Sequence, residues 1–172
     1  MERNELVLLR LSNQYLLHAG ERMRVLCAMN GFQAQFLSNA LHAMRLRSTA
    51  YDTAHAADSL VKSWTLRGTM HIFAEADLPL FLHTGCRDWT VPSFWNQRPN
   101  WALTPKRQAY FSDLIIDALA QGPMTREALK ARCRAAGMTQ AEEGSIFHPW
   151  GGGIRELCER GFLCGTVSEE KA

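Results

Sequence analysis

Two glutamines with a single alanine between them, Gln33 and Gln35, are the residues whose type and spacing most directly suggest chemistry. An amide is no base at neutral pH, but its oxygen carries two acceptor lone pairs. Two such oxygens on one side of the chain could hold a water molecule and turn their dipoles toward a developing positive charge. This chemistry requires both side chains to point the same way.

The local backbone decides whether the two amides can act together. In a helix, residues two apart diverge by about 200°, which separates the side chains. In an extended segment, residues i and i+2 share a face, so a short strand would present both amides on one side and turn Ala34 toward the core. The residue types alone favour a simpler alternative, in which two polar residues mark the start of a helix, because an isolated Gln-x-Gln is a weak signal.

Apolar periodicity and turn signals predict the elements around this motif. Asn30-Gly31 is a turn signal just before it. Two short β-type runs, 64–66 and 69–73, are predicted to form a tight hairpin, and a short helix over 75–82 follows. Helix, helix, helix, hairpin is the order of a winged-helix module. Apolar residues at helical spacing predict four helices before or at this hairpin, over residues 4–17, 21–29, 36–47 and 53–63.

A similar layout starts again after residue 104. Residues 86–104 are rich in Trp, Pro and Asn and are predicted to be a connector packed by its aromatic side chains. Residues 162–167 read as the first strand of a second wing that lacks its partner strand. Three further helices are predicted, the first two with Thr104 and Thr125 as N-caps and the third with a glycine run inside it, over residues 105–120, 125–137 and 146–160.

These elements predict a fold that is mainly α with small β hairpins (α+β), built from tandem winged-helix modules. The expected domains are a first module over residues 1–85, the connector over 86–104, and a second module over 105–172 that is truncated in its wing. A length of 172 residues fits one domain or two small ones.

Composition describes an ordinary soluble globular protein and excludes wholesale disorder, since 47% of the residues are hydrophobic and 21% are charged. A net charge of +2 argues for no partner, so a nucleic-acid surface would have to come from local clustering of basic residues. No apolar run approaches the roughly 18 residues of a spanning helix, and the charged start fits no signal peptide. The five widely spaced cysteines favour a reducing, cytoplasmic location.

Three motifs in order resemble the AlkZ/YcaQ family of winged-helix DNA glycosylases: residues 11–16 (LSNQYL), 30–35 (NGFQAQ) and 66–72 (LRGTMHI). The resemblance covers most of residues 6–82 and, more loosely, the second module. It implies tandem winged helices around a DNA-binding cleft. It also implies a monofunctional glycosylase that removes alkylated bases by hydrolysis, with N7-alkylguanine adducts and interstrand crosslinks as substrates. Members of the family are longer, so the chain is expected to correspond to their N-terminal portion.

The catalytic motif of that family is Gln, an apolar residue, then Gln or Asp, and it falls here on Gln33 and Gln35. Glycosidic cleavage passes through an oxocarbenium-like state for which most glycosidases use two carboxylates. N7-alkylguanine is already cationic and departs without protonation, so a glutamine pair is adequate for this leaving group and poor for normal purines. No metal or organic cofactor is expected, and the protein is expected to act as a monomer.

Basic and polar side chains near the motif are candidates for contacts with double-stranded DNA, and phosphate contacts would give salt-dependent, sequence-tolerant affinity. Arg67 lies at the tip of the predicted hairpin. His71 is either a cleft-lining group near the wing or a strand histidine satisfied by a neighbouring backbone group, and the second interpretation is favoured. The candidate DNA-binding residues are Arg45, Arg47, Lys62, Arg67, Thr69 and His71.

Two other functional classes stay open. A non-catalytic winged-helix DNA-binding protein, such as a transcription regulator, would bind DNA in a sequence-dependent way, release no base and tolerate loss of either glutamine. A protein-interaction module would have no salt-dependent affinity for duplex DNA. An assay of base release together with binding against salt separates all three classes.

Overall fold

A computed structural model describes residues 2–65, 68–82 and 97–167. The chain forms two compact units, one made of Met1–Phe81 with Gly165–Lys171 and the other of Leu82–Cys164. Much of the predicted connector lies outside the described residues, so the domain limits expected from the sequence stay predictions.

The first unit combines helices with one small antiparallel sheet, which confirms the predicted mainly α fold with small β elements. Its strands are arranged in the order β1-β3-β2-β4, with the β2–β3 hairpin at the centre of the sheet. Its elements in chain order are α1 (Arg3–Asn13), α2 (Arg22–Ala28), β1 (Phe32–Gln33), α3 (Leu37–Arg47), β2 (Leu60–Trp64), β3 (Met70–Ala74), a 3-10 turn (Glu75–Asp77), α4 (Leu78–Phe81) and, from the end of the chain, β4 (Gly165–Thr166).

The helix predicted over 53–63 is wrong. Residues 53–59 form turns and β2 begins at Leu60. The Asp52 carboxylate accepts a hydrogen bond from the Ala54 backbone N–H, and Ser59 adopts a left-handed conformation with φ 59°, so the helical path is interrupted at both ends of the segment. Pairing of β2 with β3 along its whole length then satisfies its backbone groups.

The second wing predicted from residues 162–167 is also wrong. Strand β4 pairs with β2, with Thr166 opposite Val61 and Gly165 opposite Lys62, so it extends the sheet of the first unit. A Cβ atom at Gly165 would lie 2.9 Å from the Lys62 carbonyl oxygen, so the close approach of the two strands depends on this glycine. Residues 165–166 are therefore the fourth strand of this sheet rather than the first strand of a second wing.

The predicted Asn30-Gly31 turn is confirmed, and it delivers the chain from α2 into β1. Both residues have positive φ, 53° and 77°. A Cβ atom at Gly31 would lie only 2.5 Å from the carbonyl oxygen of Ile72 on β3. Glycine is therefore required at position 31 for two reasons: the backbone there is left-handed, and a side chain would prevent the close contact between β1 and β3.

The second unit consists of helices around its own core, and Thr104 and Thr125 cap the first two as predicted. The helix predicted over 146–160, with an interruption at its glycine run, is confirmed only from Gly152 onward, and its predicted start at Ile146 is wrong. One helix ends at Ile146 and the next begins at Gly152, because Gly151 and Gly152 have φ values of 157° and 68° and break the helical path. Over residues 97–164 the helices are α5 (Pro105–Ala120), α6 (Arg126–Ala135), α7 (Gln140–Ile146) and α8 (Gly152–Glu159).

One carboxylate ties α5 to the start of α7. The Arg107 guanidinium donates to both oxygens of Glu142, at 2.6 and 2.7 Å, and the Thr139 backbone N–H donates to the same carboxylate at 2.8 Å. The Arg107 hydrogen bonds, followed by that of Thr139, lower the pKa of Glu142 to about 2. Because Glu142 is buried, protonating it removes interactions that the surroundings cannot replace.

The second unit should therefore be acid-sensitive. The folded-state pKa of Glu142 lies below its unfolded value, so its contribution is fully present above about pH 4.5 and is lost as pH falls toward 2. Thermal melts followed by circular dichroism between neutral and acidic pH should show this loss in the wild type and a flatter profile in Glu142→Gln. The exposed Glu127→Gln is the control and should melt as the wild type does. An unchanged acid profile in Glu142→Gln would refute the assignment.

Substituting Gly31 should destabilise the first unit. Gly31→Ala places a side chain in a left-handed conformation and against the Ile72 carbonyl, and we expect a loss of at least about 2 kcal/mol in the free energy of unfolding. Urea unfolding measures this. Gly144→Ala is the matched control, because its added Cβ meets open space within helix α7, and it should be neutral or stabilising. Equal effects of the two substitutions would contradict the proposed role of Gly31.

Candidate catalytic strand and DNA-contact residues

The strand interpretation holds for the first part of the Gln33-Ala34-Gln35 segment, since β1 ends at Gln33, the chain bends at Gln35 and helix α3 begins only at Leu37. Gln33 ends β1, and the Ala34 backbone N–H donates to the Met70 carbonyl oxygen at 2.8 Å, so pairing with β3 continues past the strand. Ala34 is completely buried, whereas Gln33 and Gln35 are exposed on either side of it. The alternation places both carboxamides on the solvent side of the chain.

Both carboxamides are available for an external group. Among the described residues, neither side chain of Gln33 or Gln35 donates or accepts a hydrogen bond. An amide oxygen that is not engaged by the protein keeps both lone pairs for water or a ligand. Both amide oxygens of the pair are therefore open to a group from outside the protein.

A row of polar residues crosses the sheet beside Gln33. His71 of β3 lies directly opposite both Gln33 and Ser63 of β2, and directly opposite residues point to the same face of a sheet. His71 is only 3% exposed, and its Nδ1 lies 3.0 Å from the Thr69 carbonyl oxygen and 3.2 Å from Thr65 Oγ1. Since a carbonyl can only accept, Nδ1 carries the proton in that hydrogen bond.

The structure does not bring His71 to the surface with the two glutamines. Its hydrogen bond to a hairpin carbonyl matches the favoured interpretation, a strand histidine satisfied by neighbouring backbone. Thr69 is half-buried next to it, with its Oγ1 3.5 Å from the same ring nitrogen. These two residues brace the hairpin with which β1 is paired.

The four predicted basic contacts differ in placement. Arg45 is exposed on the outer face of α3. Arg47 donates to the Gln14 and Ala43 carbonyl oxygens at 3.0 and 2.9 Å, and its guanidinium lies 5.6 Å from the centroid of the Phe32 ring. Arg47 thus joins the segment after α1 to the end of α3. Arg67 lies outside the described residues.

Lys62 is on the opposite face of the sheet from Gln33. It pairs with Ile72, which itself pairs with Phe32, and both of these side chains are buried in the helix-covered core. Burial lowers the pKa of the Lys62 ammonium, which is half-buried against this face. The structure therefore does not bring Lys62 together with the glutamines.

Sequence reasoning missed an exposed stripe that continues from the motif along α3. Ala40, Leu41 and Met44 face the core. Counted from Ser38 as position i, the residues at i, i+1, i+4, i+7 and i+8 lie on the opposite, solvent-facing side of the helix, and we call them the α3 stripe. The 3.6-residue period of a helix would have revealed this stripe in the sequence. Its members are all exposed: Ser38, Asn39, His42, Arg45 and Leu46. Phe36, between Gln35 and the helix, was also overlooked and is 68% exposed.

The described residues contain neither a cluster of potential metal ligands nor a helix that could span a membrane. No three His, Cys, Asp or Glu side chains there converge as metal ligands would. No helix in those same ranges has both the length and the apolar character that crossing a bilayer requires.

Comparison with known proteins gives consistent matches. The family described as DNA glycosylase AlkZ-like matches residues 26–153. An interstrand DNA cross-link repair glycosylase of Streptomyces sahachiroi is 31% identical over an alignment of 143 residues, which covers 78% of this chain and 37% of the relative. The solved structure of the Streptomyces sahachiroi DNA glycosylase AlkZ superposes with a TM-score of 0.66 at 29% identity, covering 90% of this chain and 43% of that one.

The chain therefore spans about two-fifths of the length of these relatives. The family match includes α3, the β2–β3 hairpin and β1 with the residues that follow it, among them Gln33 and Gln35. With its exposed carboxamide pair beside this hairpin and a match over most of its length, the chain belongs to the family of AlkZ-like DNA glycosylases.

Proposed function

We propose that this chain carries the catalytic strand of a monofunctional DNA glycosylase that hydrolyses the N-glycosidic bond of alkylated bases. The observation that carries the proposal is the exposure of Gln33 and Gln35 on either side of the fully buried Ala34. Family membership supports the reaction class, and the name of the Streptomyces relative supports interstrand crosslinks as substrates. We expect the protein to act as a monomer in the cytoplasm, with no metal or organic cofactor.

In the proposed reaction, the two amide oxygens orient one water molecule toward C1′ of the damaged nucleotide. The bond between C1′ and N9 breaks with its electron pair going to the base, and the water oxygen forms the new bond to C1′. The products are an abasic sugar, a neutral N7-alkylguanine and a proton released from the water to solvent. The amide dipoles face the positive charge that develops on the sugar, which lowers the barrier without a base.

The leaving group determines which substrates such a site can accept. N7-alkylguanine carries a positive charge and becomes neutral on departure, so it needs no acid to protonate it. A normal purine would leave as an anion or require protonation, and neither glutamine can donate a strongly acidic proton. We therefore assign cationic N7-alkylguanine adducts, including interstrand crosslinks through that nitrogen, as the substrate class.

Phosphate contacts on the same unit would hold the duplex. Arg45 is the best-placed cation, because it is exposed on the α3 stripe that begins next to Gln35. Lys62, Arg67, Thr69, His71 and Arg47 remain proposed DNA-binding residues; the buried position of His71 and the backbone hydrogen bonds of Arg47 favour supporting roles for these two.

Removing either carboxamide should stop base release and spare DNA binding. With excess protein on duplex containing N7-methylguanine, we expect Gln35→Ala and Gln33→Ala to lose at least about 100-fold in single-turnover rate, because the attacking water loses an orienting acceptor. Free base is measured by chromatography and binding by fluorescence anisotropy. Gln121→Ala, which removes an exposed glutamine in the second unit, is the matched control and should keep the wild-type rate.

Retained turnover in both alanine variants would refute the assignment of the glutamines. Sequence-dependent binding without any base release by the wild type would favour the alternative of a non-catalytic DNA-binding protein, and the exposed Asn39 and His42 of the α3 stripe are the side chains that would read the bases. Absence of salt-dependent DNA binding would favour a protein-interaction module.

Arg45 should account for part of the salt dependence of binding. Arg45→Ala should reduce the slope of log affinity against log salt concentration by about 1, since one phosphate contact releases about one counterion. Arg24→Ala, which removes an exposed arginine on α2, is the control and should leave the slope unchanged. Equal slopes for the wild type and Arg45→Ala would exclude Arg45 as a phosphate contact.

A further inference from the structure

We propose that Phe36 stacks on the alkylated base while Gln33 and Gln35 act at its sugar, and that this aromatic contact selects for a positively charged base. The inference rests on the proposed function and adds a substrate-binding residue to it. Phe36 directly follows Gln35, and 68% of its surface is exposed.

Phe36 has no packing role comparable to that of the other phenylalanines in its unit. Phe32 is buried beneath the Arg47 guanidinium, and Phe73 is buried with its ring centroid 4.5 Å from that of Phe81. Within the described residues, the ring of Phe36 has no aromatic or cation partner, and its neighbour Leu37 packs against the core instead. An aromatic face is thus left open beside the carboxamides.

Phe36 is also an unfavourable residue for the start of a helix. It is the N-cap residue of α3 and supplies no side-chain hydrogen bond to the first turn. By contrast, Glu21, Thr104 and Thr125 each accept a backbone N–H in α2, α5 and α6. Ser, Thr, Asp or Asn at position 36 would satisfy a backbone donor and remove an exposed apolar surface. A residue that violates two local rules next to a reaction centre is typical of a functional position.

The geometry allows the ring to reach the base. Consecutive Cα atoms are about 3.8 Å apart, so the side chain of Phe36 starts within one residue of Gln35. The base is bonded directly to C1′, the atom that the two carboxamides face in the proposed reaction. A ring beside that atom can therefore lie against the base without displacing the water.

The charge of the base makes this contact selective. An aromatic face attracts a cation, and stacking adds to this attraction for any planar base. N7-alkylguanine loses its positive charge as it departs, so the contact is stronger in the bound substrate than in the transition state. Phe36 should therefore contribute to substrate affinity and little to the rate of bond cleavage.

The experiment compares two duplexes that differ in the charge of one base. Both carry a 2′-fluoro sugar at that nucleotide. One bears N7-methylguanine, which is cationic and resists hydrolysis on this sugar, and the other bears the neutral isostere 7-methyl-7-deazaguanine. We expect the wild type to bind the cationic duplex roughly 2- to 30-fold more tightly. Phe36→Ala should reduce this ratio to about 1, and Phe36→Trp should retain it. Leu46→Ala, which removes an apolar side chain 56% exposed on the same helix, is the control and should keep the wild-type ratio.

A serine at this position separates recognition from stability. Phe36→Ser should raise the melting temperature, because serine caps α3, and should nevertheless lose the preference for the cationic duplex. In single-turnover cleavage of N7-methylguanine, Phe36→Ala should raise the protein concentration needed for half-maximal rate and should not lower the maximal rate.

Two failures can be told apart. If the wild type releases base but Phe36→Ala keeps the charge preference, the inference is wrong and the proposed glycosylase function stands. If the wild type binds both duplexes equally, Phe36 does not select for charge, whatever the cleavage assay shows. If the wild type prefers the cationic duplex and Phe36→Ala abolishes this preference, but no base is released, Phe36 is a recognition residue and the proposed hydrolysis fails.

Discussion

The pairing of β1 with β3 is the interaction on which the candidate site depends. It is short, with Phe32 opposite Ile72 and Gln33 opposite His71, and it is extended by the Ala34 N–H bonded to Met70. A shift of one residue would turn Ala34 outward and bury the glutamines, because side chains alternate along a strand. The buried Ala34 and the close approach of Gly31 to Ile72 fix the register of β1 against β3. These two small residues therefore determine that Gln33 and Gln35 point toward solvent.

This arrangement explains why exposed amides are compatible with the proposed chemistry. Carboxylates in a glycosidase must hold protonation states that suit the pH, which usually requires burial or neighbouring charges. Carboxamides do not titrate, so they need only orientation. The hairpin provides orientation through the buried His71, which lies directly opposite Gln33. The Nδ1 atom of His71 is hydrogen-bonded to the Thr69 carbonyl oxygen, which holds the ring in place. A rigid strand beneath two uncharged acceptors is sufficient where the leaving group carries its own positive charge.

Helix caps and turns, which depend on one or two neighbouring residues, could be predicted from the sequence. The pairing of strands could not. The caps at Thr104 and Thr125 and the turn at Asn30-Gly31 follow from residue type and spacing, and all are observed. The residue types around Ala34 alone favoured a helix start, and the family resemblance directed attention to the exposed glutamines. The errors over 53–63 and 162–167 have another cause. Residues 60–63 pair with β3, which follows directly in the chain, and β4 pairs with β2 from far earlier in the sequence. In neither case does the spacing of the residues themselves indicate the partner. In the site, sequence alone identified the glutamines but could not show that Lys62 lies on the other face of the sheet.

The position of β4 has a consequence for the catalytic strand. The first unit is discontinuous, since its sheet is completed by residues that follow all four helices of the second unit in the chain. Without β4, the backbone of β2 would be left as an unpaired edge, which is prone to association with other strands. The register of β2 also fixes β3, because the two share five directly opposed pairs, and β3 in turn holds β1. The orientation of Gln33 and Gln35 is therefore connected, strand by strand, to Gly165 and Thr166 at the far end of the sequence.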